Sequence, residues 1–479
     1  MKRRSRTEDP IPTPSLPWIQ ASPGVPYFQT EHGESWTPVG QNDAVTWPDL
    51  EGLFRRRDLA SVERYLAHLA AHGVTCLRLM MEYAQGRHRF LERPVGTFQP
   101  SMVQLWDDLF ALCARHGLRV LLTPFDTFWM WKKWRFHPYN RANGGPCRRR
   151  SGLLTCPETR AAIKRRLLFA VERWGGSGVL FAWDLWNEIH PAYGNGDPGC
   201  FAELVEDLSE TVRRREIELY GRSHPRTVSV FGPVLLQYEG VDEAILRHPR
   251  LDFASTHFYE QGTIDHPRNT VEAAVGTGRL MREALAEVPP DRPFLDSEHG
   301  PIHTFKDHHR TLPEAFDDEY FRHIQWAHLA SGGAGGGMRW PNRHPHRLTP
   351  GMREAQKALA GFLPLIDWTR FRRRNLNFEV EVQGRGCVGF ACGDGEQAVV
   401  WALRVDRLDR KGMLRGDAEP VEAAVSIPGL GPGRYRVTPW DTVAGRCLGC
   451  SEAAQAADGR LVLSLPPLRT DLAVAVRRA

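Results

Sequence analysis

From about residue 38 to residue 340, short apolar segments alternate with amphipathic ones, and this alternation most restricts what the chain can form. Leu59, Val62, Tyr65, Leu66 and Leu69 fall on one face of a segment over 58–72 that stops at Gly73, the pattern of a capped helix. A strand-like run over 74–81 follows at once. The unit recurs as a helix over 102–116 with a strand over 118–123, then a helix from Pro157 with Ile163, Leu167, Val171 and Trp174 on its apolar face, and a strand over 179–186. A long helix within 201–220 leads to strands over 227–231 and 253–257. Helices over 271–288 and 313–330 precede strands over 294–297 and 335–340. With a first strand near 37–40 the count reaches eight. The spacing therefore predicts an α/β chain whose residues 35–365 form a (β/α)8 TIM barrel.

After about residue 364 the periodicity changes. Segments over 378–382, 398–401, 423–427, 434–437, 461–465 and 472–476 are punctuated by Gly, Pro and Asp, which predicts a small C-terminal antiparallel β-sandwich domain over 366–479. Residues 1–34 are read as an N-terminal extension.

The formal net charge of +5 is spread over arginine runs at 55–57, 148–150, 213–215 and 372–374, with 57 acidic residues interleaved. No nucleic-acid module accompanies them, so solvated surface is expected rather than a nucleic-acid partner. The chain opens on basic residues, but Glu8, Asp9 and repeated prolines stand where a signal peptide needs an apolar core. No later run approaches the roughly 20 apolar residues that span a membrane. Nine scattered cysteines, an odd number, do not make a disulfide framework, and the lone Cys447-x-x-Cys450 lacks the second pair of a zinc knuckle. A cytoplasmic protein without membrane contact is expected.

In such a barrel the chemistry lies at the carboxyl ends of the strands. The residues there are Arg78 on the second strand, Phe125 and Asp126 after the third, Asn187 and Glu188 after the fourth, His257 and Tyr259 after the sixth, Glu298 after the seventh and Trp340 after the eighth. Two glutamates presented in this way suit cleavage of a glycosidic bond, where one carboxyl protonates the departing oxygen and the other attacks the sugar carbon. An arginine beside a carboxylate holds it ionised, which suits a nucleophile, whereas an acid needs surroundings that raise its pKa. Asn187 can bind a sugar hydroxyl, His257 and Tyr259 can orient carboxylates, and Trp340 offers a flat apolar face. Each also has a structural reading: Arg78 as an ion pair, His257 as a satisfied buried histidine, Trp340 as core. Because Asn187 and Glu188 are adjacent, a regular strand would send them to opposite faces, so the strand must end or bulge there for both to serve.

The segments FAWDLWNEIHP, STHFYEQG, FLDSEHG and GGGMRW resemble the strand ends of the clan A glycoside hydrolases, the retaining (β/α)8 group that includes the cellulase and mannanase family five. The resemblance covers residues 35 to 365, and its most specific element is the Asn-Glu pair ending the fourth strand with a Glu ending the seventh. It implies Glu188 as acid/base and Glu298 as nucleophile, with Arg78, Asn187, His257, Tyr259 and Trp340 at the supporting positions. The implied reaction is double displacement on a β-linked glycan or oligosaccharide of glucan or mannan type, with no cofactor and no metal, and carboxyl groups about 5 to 5.5 Å apart. The C-terminal sandwich resembles accessory domains attached to such barrels. In one departure, family five usually carries a histidine near the end of the third strand, where this chain has Leu121-Leu-Thr-Pro-Phe-Asp126.

Other readings stay open on the sequence. His299, His303, His308, His309, His344 and His346 follow the last two strands, where a metal-dependent hydrolase would place ligands, although their spacing matches no zinc signature. A non-catalytic carbohydrate-binding barrel is a third reading. Trp129, Trp131 and Trp134 crowd one loop near the site, as sugar-stacking subsites or as packing of a lid. Trp401 and Trp440 are read as sandwich core rather than as a sugar-binding face.

Overall fold

The computed structural model of the protein describes residues 15–54, 57–83, 89–302, 311–456 and 459–479. Its centre is a ring of parallel strands: β1 (Gly40–Asp43), β2 (Cys76–Met80), β3 (Arg119–Thr123), β4 (Leu180–Asp184), β5 in two pieces (Arg226–Thr227 and Ser229–Phe231), β6 (Ala254–Phe258), β7 (Phe294–His299) and β8 (Met338–Arg339). β8 pairs with β1, so the ring closes and leaves no edge. Strands β2, β3 and β4 are buried at every position, which is why they read as unbroken apolar runs rather than as alternating ones.

Helices α1 (Leu59–Ala71), α2 (Pro100–Arg115), α3 (Pro157–Trp174), α4 (Phe201–Tyr220), α5 (Val241–Ile245), α6 (Thr270–Ala286), α7 (Glu314–Ala330) and α8 (Pro350–Phe362) surround the barrel. Their ends follow local chemistry. Asp58 caps α1 by accepting the Ser61 amide at 3.0 Å, and α4 stops at Gly221 in the left-handed region. Helix α8 has no counterpart among the expected elements. Thr349 caps it and Pro350 opens it, a start signal that the proline- and histidine-rich run before it obscures.

The N-terminal extension is structured from residue 15 onward. Strands Ile19–Ala21, Phe28–Thr30 and Ser35–Trp36 form an antiparallel sheet across the amino end of the barrel. Phe28 sets its ring 4.9 Å from Phe181 and 5.4 Å from Phe253, and Trp36 lies 4.6 Å from Phe181. This sheet stoppers the barrel opposite its catalytic face.

Beyond the barrel, an antiparallel sheet runs Arg374–Asn375, Cys387–Gly393, Gln397–Arg404, Asp471–Arg478, Arg434–Asp441 and Arg446–Cys447 in spatial order. A three-stranded sheet of Glu381–Gln383, Ala424–Ile427 and Leu461–Ser464 packs on its outer side, completing the sandwich. Trp401 and Trp440 are buried, as expected, but they face the barrel rather than the sandwich's own core. They share one apolar cluster with Trp326 of α7, Phe362 of α8 and Trp368. Among the described residues no helix is long and apolar enough to cross a membrane.

Candidate active site

Strand β4 ends at Asp184, and the chain beyond it leaves regular geometry. Asp126 and Asn187 form an isolated parallel bridge, and Glu188 takes φ +49°, a left-handed backbone that costs a non-glycine residue on the order of 1 kcal/mol. The adjacent Asn187 and Glu188 can therefore both face the same cavity. Glu298 reaches it by a different device. Thr256 of β6 pairs with Asp296, but His257 pairs with Glu298, so β7 holds one extra residue at this point. Ser297, bonded to Ser255 and 3.2 Å from His257 Nε2, points inward, and the bulge lets Glu298 point inward as well.

Arg78 ties the two glutamate strands together. Its side chain is wholly buried in the barrel, where Nη2 donates to Asp184 (2.7 Å) and Nη1 donates to Glu298 Oε2 (3.0 Å) and to Asn42 Oδ1 (2.9 Å). Nη2 also donates to Asn187 Oδ1 and to Ser229 Oγ. Asn187 in turn donates from Nδ2 to Asp126 at 2.6 Å, and the Tyr259 hydroxyl donates to Glu298 Oε1 at 2.8 Å. His257 Nδ1 lies 2.8 Å from Glu188 Oε1 and 3.8 Å from Glu298 Oε2. One oxygen of Glu188 and one of Glu298 come within 4.8 Å of each other.

Burial raises the Glu188 carboxyl to about 7 against the pull of Arg78, with the Asp184 charge adding to the rise. Glu298 is also raised to about 7, first by burial and then by the neighbouring Glu188 charge. The sequence suggested that an arginine would hold one carboxylate firmly ionised. That expectation fails in magnitude because burial and the neighbouring Glu188 charge outweigh the pull of Arg78. The donors still distinguish the pair: Arg78 and Tyr259 both donate to Glu298, whereas Glu188 faces a histidine that burial lowers to about 4 and so keeps neutral. The two carboxyls thus share a raised pKa but differ in their donors, two on Glu298 and one ring nitrogen beside Glu188.

A cavity of about 300 Å³ opens on the two glutamates and on Asn187, Asp126, Tyr259 and Trp340. Of the expected residues, Arg78 and His257 lie beneath its floor, and Phe125 stacks on Trp186 at 5.1 Å, away from it. Trp340 touches the cavity while packing against Trp47 and Tyr83, each at 5.1 Å. Asp126, just beyond β3, lines the cavity. It accepts the Trp129 amide at 2.6 Å at the start of a short helix, Thr127–Lys133, and burial raises it to about 7. None of the three loop tryptophans lines the cavity; Phe128 does. Trp129 packs on Tyr83 at 5.0 Å, and Trp131 stays 45% exposed.

Sequence reasoning missed Asp184, Ser229 and Asn42 beneath the site and Tyr83, Phe231 and Asn342 around it. Phe231 ends β5 and was open to the same strand-end rule; Asp184 faces inward four residues before Glu188. Of the six histidines named for a metal site, His303, His308 and His309 lie outside the described residues. Among the described residues, His299 alone of that set enters a donor cluster: its Nδ1 lies 3.1 Å from Asp296 Oδ2, and His328 Nε2 lies 2.9 Å from the same oxygen. His346 instead stacks on Trp47 at 4.8 Å.

In sequence the chain matches no protein-family model and no curated protein. In structure it matches a glycoside hydrolase with TM-score 0.61 at 12% identity, covering 97% of this chain and 98% of the other. A family 5 glycoside hydrolase from Bacteroides vulgatus matches with TM-score 0.60 at 11% identity, covering 98% and 96%. The fold is that of family 5 glycoside hydrolases. A family 5 mannosidase from Rhizomucor miehei matches with TM-score 0.52 at 16% identity over 68% of this chain and 86% of its own. The two longer matches extend across the sandwich as well as the barrel.

Proposed function

We propose that the protein is a glycoside hydrolase that cleaves β-linked glycans or oligosaccharides of glucan or mannan type with retention of configuration. The observation that carries this reading is the pair of glutamates, Glu298 buried and Glu188 half-buried, with oxygens within 4.8 Å. That spacing accords with the roughly 5 to 5.5 Å of retaining enzymes and leaves no room for the water of an inverting one, which needs about 6.5 to 9.5 Å. The family 5 fold points the same way.

Glu298, held by Arg78 and Tyr259, attacks the anomeric carbon as a carboxylate. Glu188, kept protonated by burial, gives its proton to the leaving oxygen. In the second half Glu188 takes a proton from water, which attacks the same carbon and releases Glu298. Asn187, fixed between Arg78 and Asp126, presents its amide to a sugar hydroxyl. Trp340 forms one wall for the ring. The neighbours' names, mannosidase among them, favour a β-mannoside as the first substrate to try.

The test is hydrolysis of a panel of aryl β-glycosides and β-linked oligosaccharides by the wild type, Glu188→Ala and Glu298→Ala. Each substitution is expected to lower kcat by roughly 10³ or more. Activity that survives both would remove the pair from the chemistry.

A further inference from the structure

The long connection between β3 and α3 carries charge in a way no other part of the molecule does. From residue 127 to residue 157 there are two lysines, five arginines and no acidic residue, a charge of +7. The chain's net +5 therefore leaves −2 for all the rest. No carboxylate of the described residues lies within ion-pair distance of any of these seven cations. Elsewhere many arginines are paired on nearby acids, as Arg160 is with Glu203 (2.8 Å) and Arg215 with Glu172 (2.7 Å), and those without an ion pair among the described residues, such as Arg282 and Arg410, are scattered among acids. What sets this segment apart is the run of seven such cations with no acid between them.

The segment begins at the carboxyl end of β3, on the catalytic face, and it is continuous with the cavity. Phe128 lines the cavity and is 39% exposed, and the Lys132 ammonium sits 4.2 Å from its ring centre. Three residues on, the exposed Trp131 carries the Arg150 guanidinium 3.9 Å above its ring. Next to Arg150, a groove of about 630 Å³ is lined by Arg141, Arg148 and Arg149, with Asn195 from the loop after β4 and one carboxylate, Glu158. Exposed aromatic faces beside unpaired cations suit a sugar that bears negative charge: the ring stacks and the anion pairs.

We propose that this segment is a subsite for an anionic glycan, so that the substrate carries carboxylate or sulfate groups on sugars flanking the bond that is cut. The proposal rests on the glycosidase reading. Continuity with the cavity, through Phe128, favours a saccharide over a nucleic acid.

The experiment is calorimetric binding to Glu298→Gln, which cannot turn over its ligand. Probes are short β-1,4-linked oligomers of mannose and of glucose, the same oligomers oxidised to uronates at C6, and their 6-O-sulfated forms, each at low and high salt. Uronate or sulfate oligomers are expected to bind about tenfold tighter than the neutral ones at low salt, with the gap closing at high salt. The two anionic series show which group is preferred. Lys132→Glu/Arg148→Glu/Arg149→Glu added to Glu298→Gln should erase the gap, while the same three changes in the wild type leave hydrolysis of a small neutral aryl glycoside unchanged. Equal affinity for neutral and anionic oligomers, a gap that survives charge reversal, or an oligonucleotide that binds as tightly in competition with them would overturn the proposal. A wild type that binds uronates yet hydrolyses no glycoside would sink the glycosidase reading and leave the subsite standing.

Discussion

Tyr259 donates to one oxygen of Glu298, and Arg78 donates to the other, so each favours the charged form against burial. Removing the hydroxyl removes one such donor. Tyr259→Phe is expected to raise the Glu298 pKa and so move the acid limb of the kcat/KM profile to higher pH, with kcat falling roughly tenfold to a hundredfold. An unmoved acid limb would show that Tyr259 does not bear on the nucleophile. Glu188 gives a stability test with a definite sign. Its folded pKa is raised to about 7 from 4.5, so the stability it contributes is present at and below pH 4.5 and is lost as pH rises through 7. Glu188→Gln should match the wild type near pH 4 and become more stable than it by about 1–3 kcal/mol by pH 7.5, as read by urea unfolding. A difference that shrinks with rising pH would contradict the raised pKa.

At the scale of elements, the parts legible in the sequence were those made by local pattern. The strands are apolar runs buried on both faces, and α1 and α4 carry their caps in the chain itself. What stayed hidden depends on partners distant in sequence. The β7 bulge exists only relative to β6, so no reading of Phe294 to His299 alone could show that both Ser297 and Glu298 face inward. The sharing of Arg78 between Asp184 and Glu298 was hidden for the same reason. The N-terminal sheet escaped notice because strands of two or three residues show no periodicity. Its role predicts that Phe28→Ala, which empties the ring contacts with Phe181 and Phe253, costs about 3–5 kcal/mol while leaving KM unaltered. Differential scanning calorimetry together with steady-state kinetics would check both halves, and a loss below about 1 kcal/mol would mean that the stopper does not hold the barrel.

Taken as a whole molecule, the barrel and the sandwich share one apolar layer rather than meeting at a polar seam. Trp326, Phe362 and Trp368 pack with Phe390, Trp401 and Trp440, and Arg322 of α7 reaches Asp471 of the larger, barrel-facing sheet at 3.2 Å. A chain cut at residue 365 would expose that layer, and we expect it to aggregate or to melt well below the full-length protein in thermal unfolding. A soluble fragment with an unchanged Tm would show that the layer contributes little. The two glutamates, the aromatic walls and the basic loop meet at the carboxyl face of the barrel. The measurement that bears most directly on the account is the configuration of the first sugar released by the wild type from an aryl β-glycoside, followed by proton NMR before mutarotation. The account predicts the β anomer, with its release abolished by Glu298→Ala. The α anomer as first product would contradict it, because inversion requires carboxyls farther apart than Glu188 and Glu298 are.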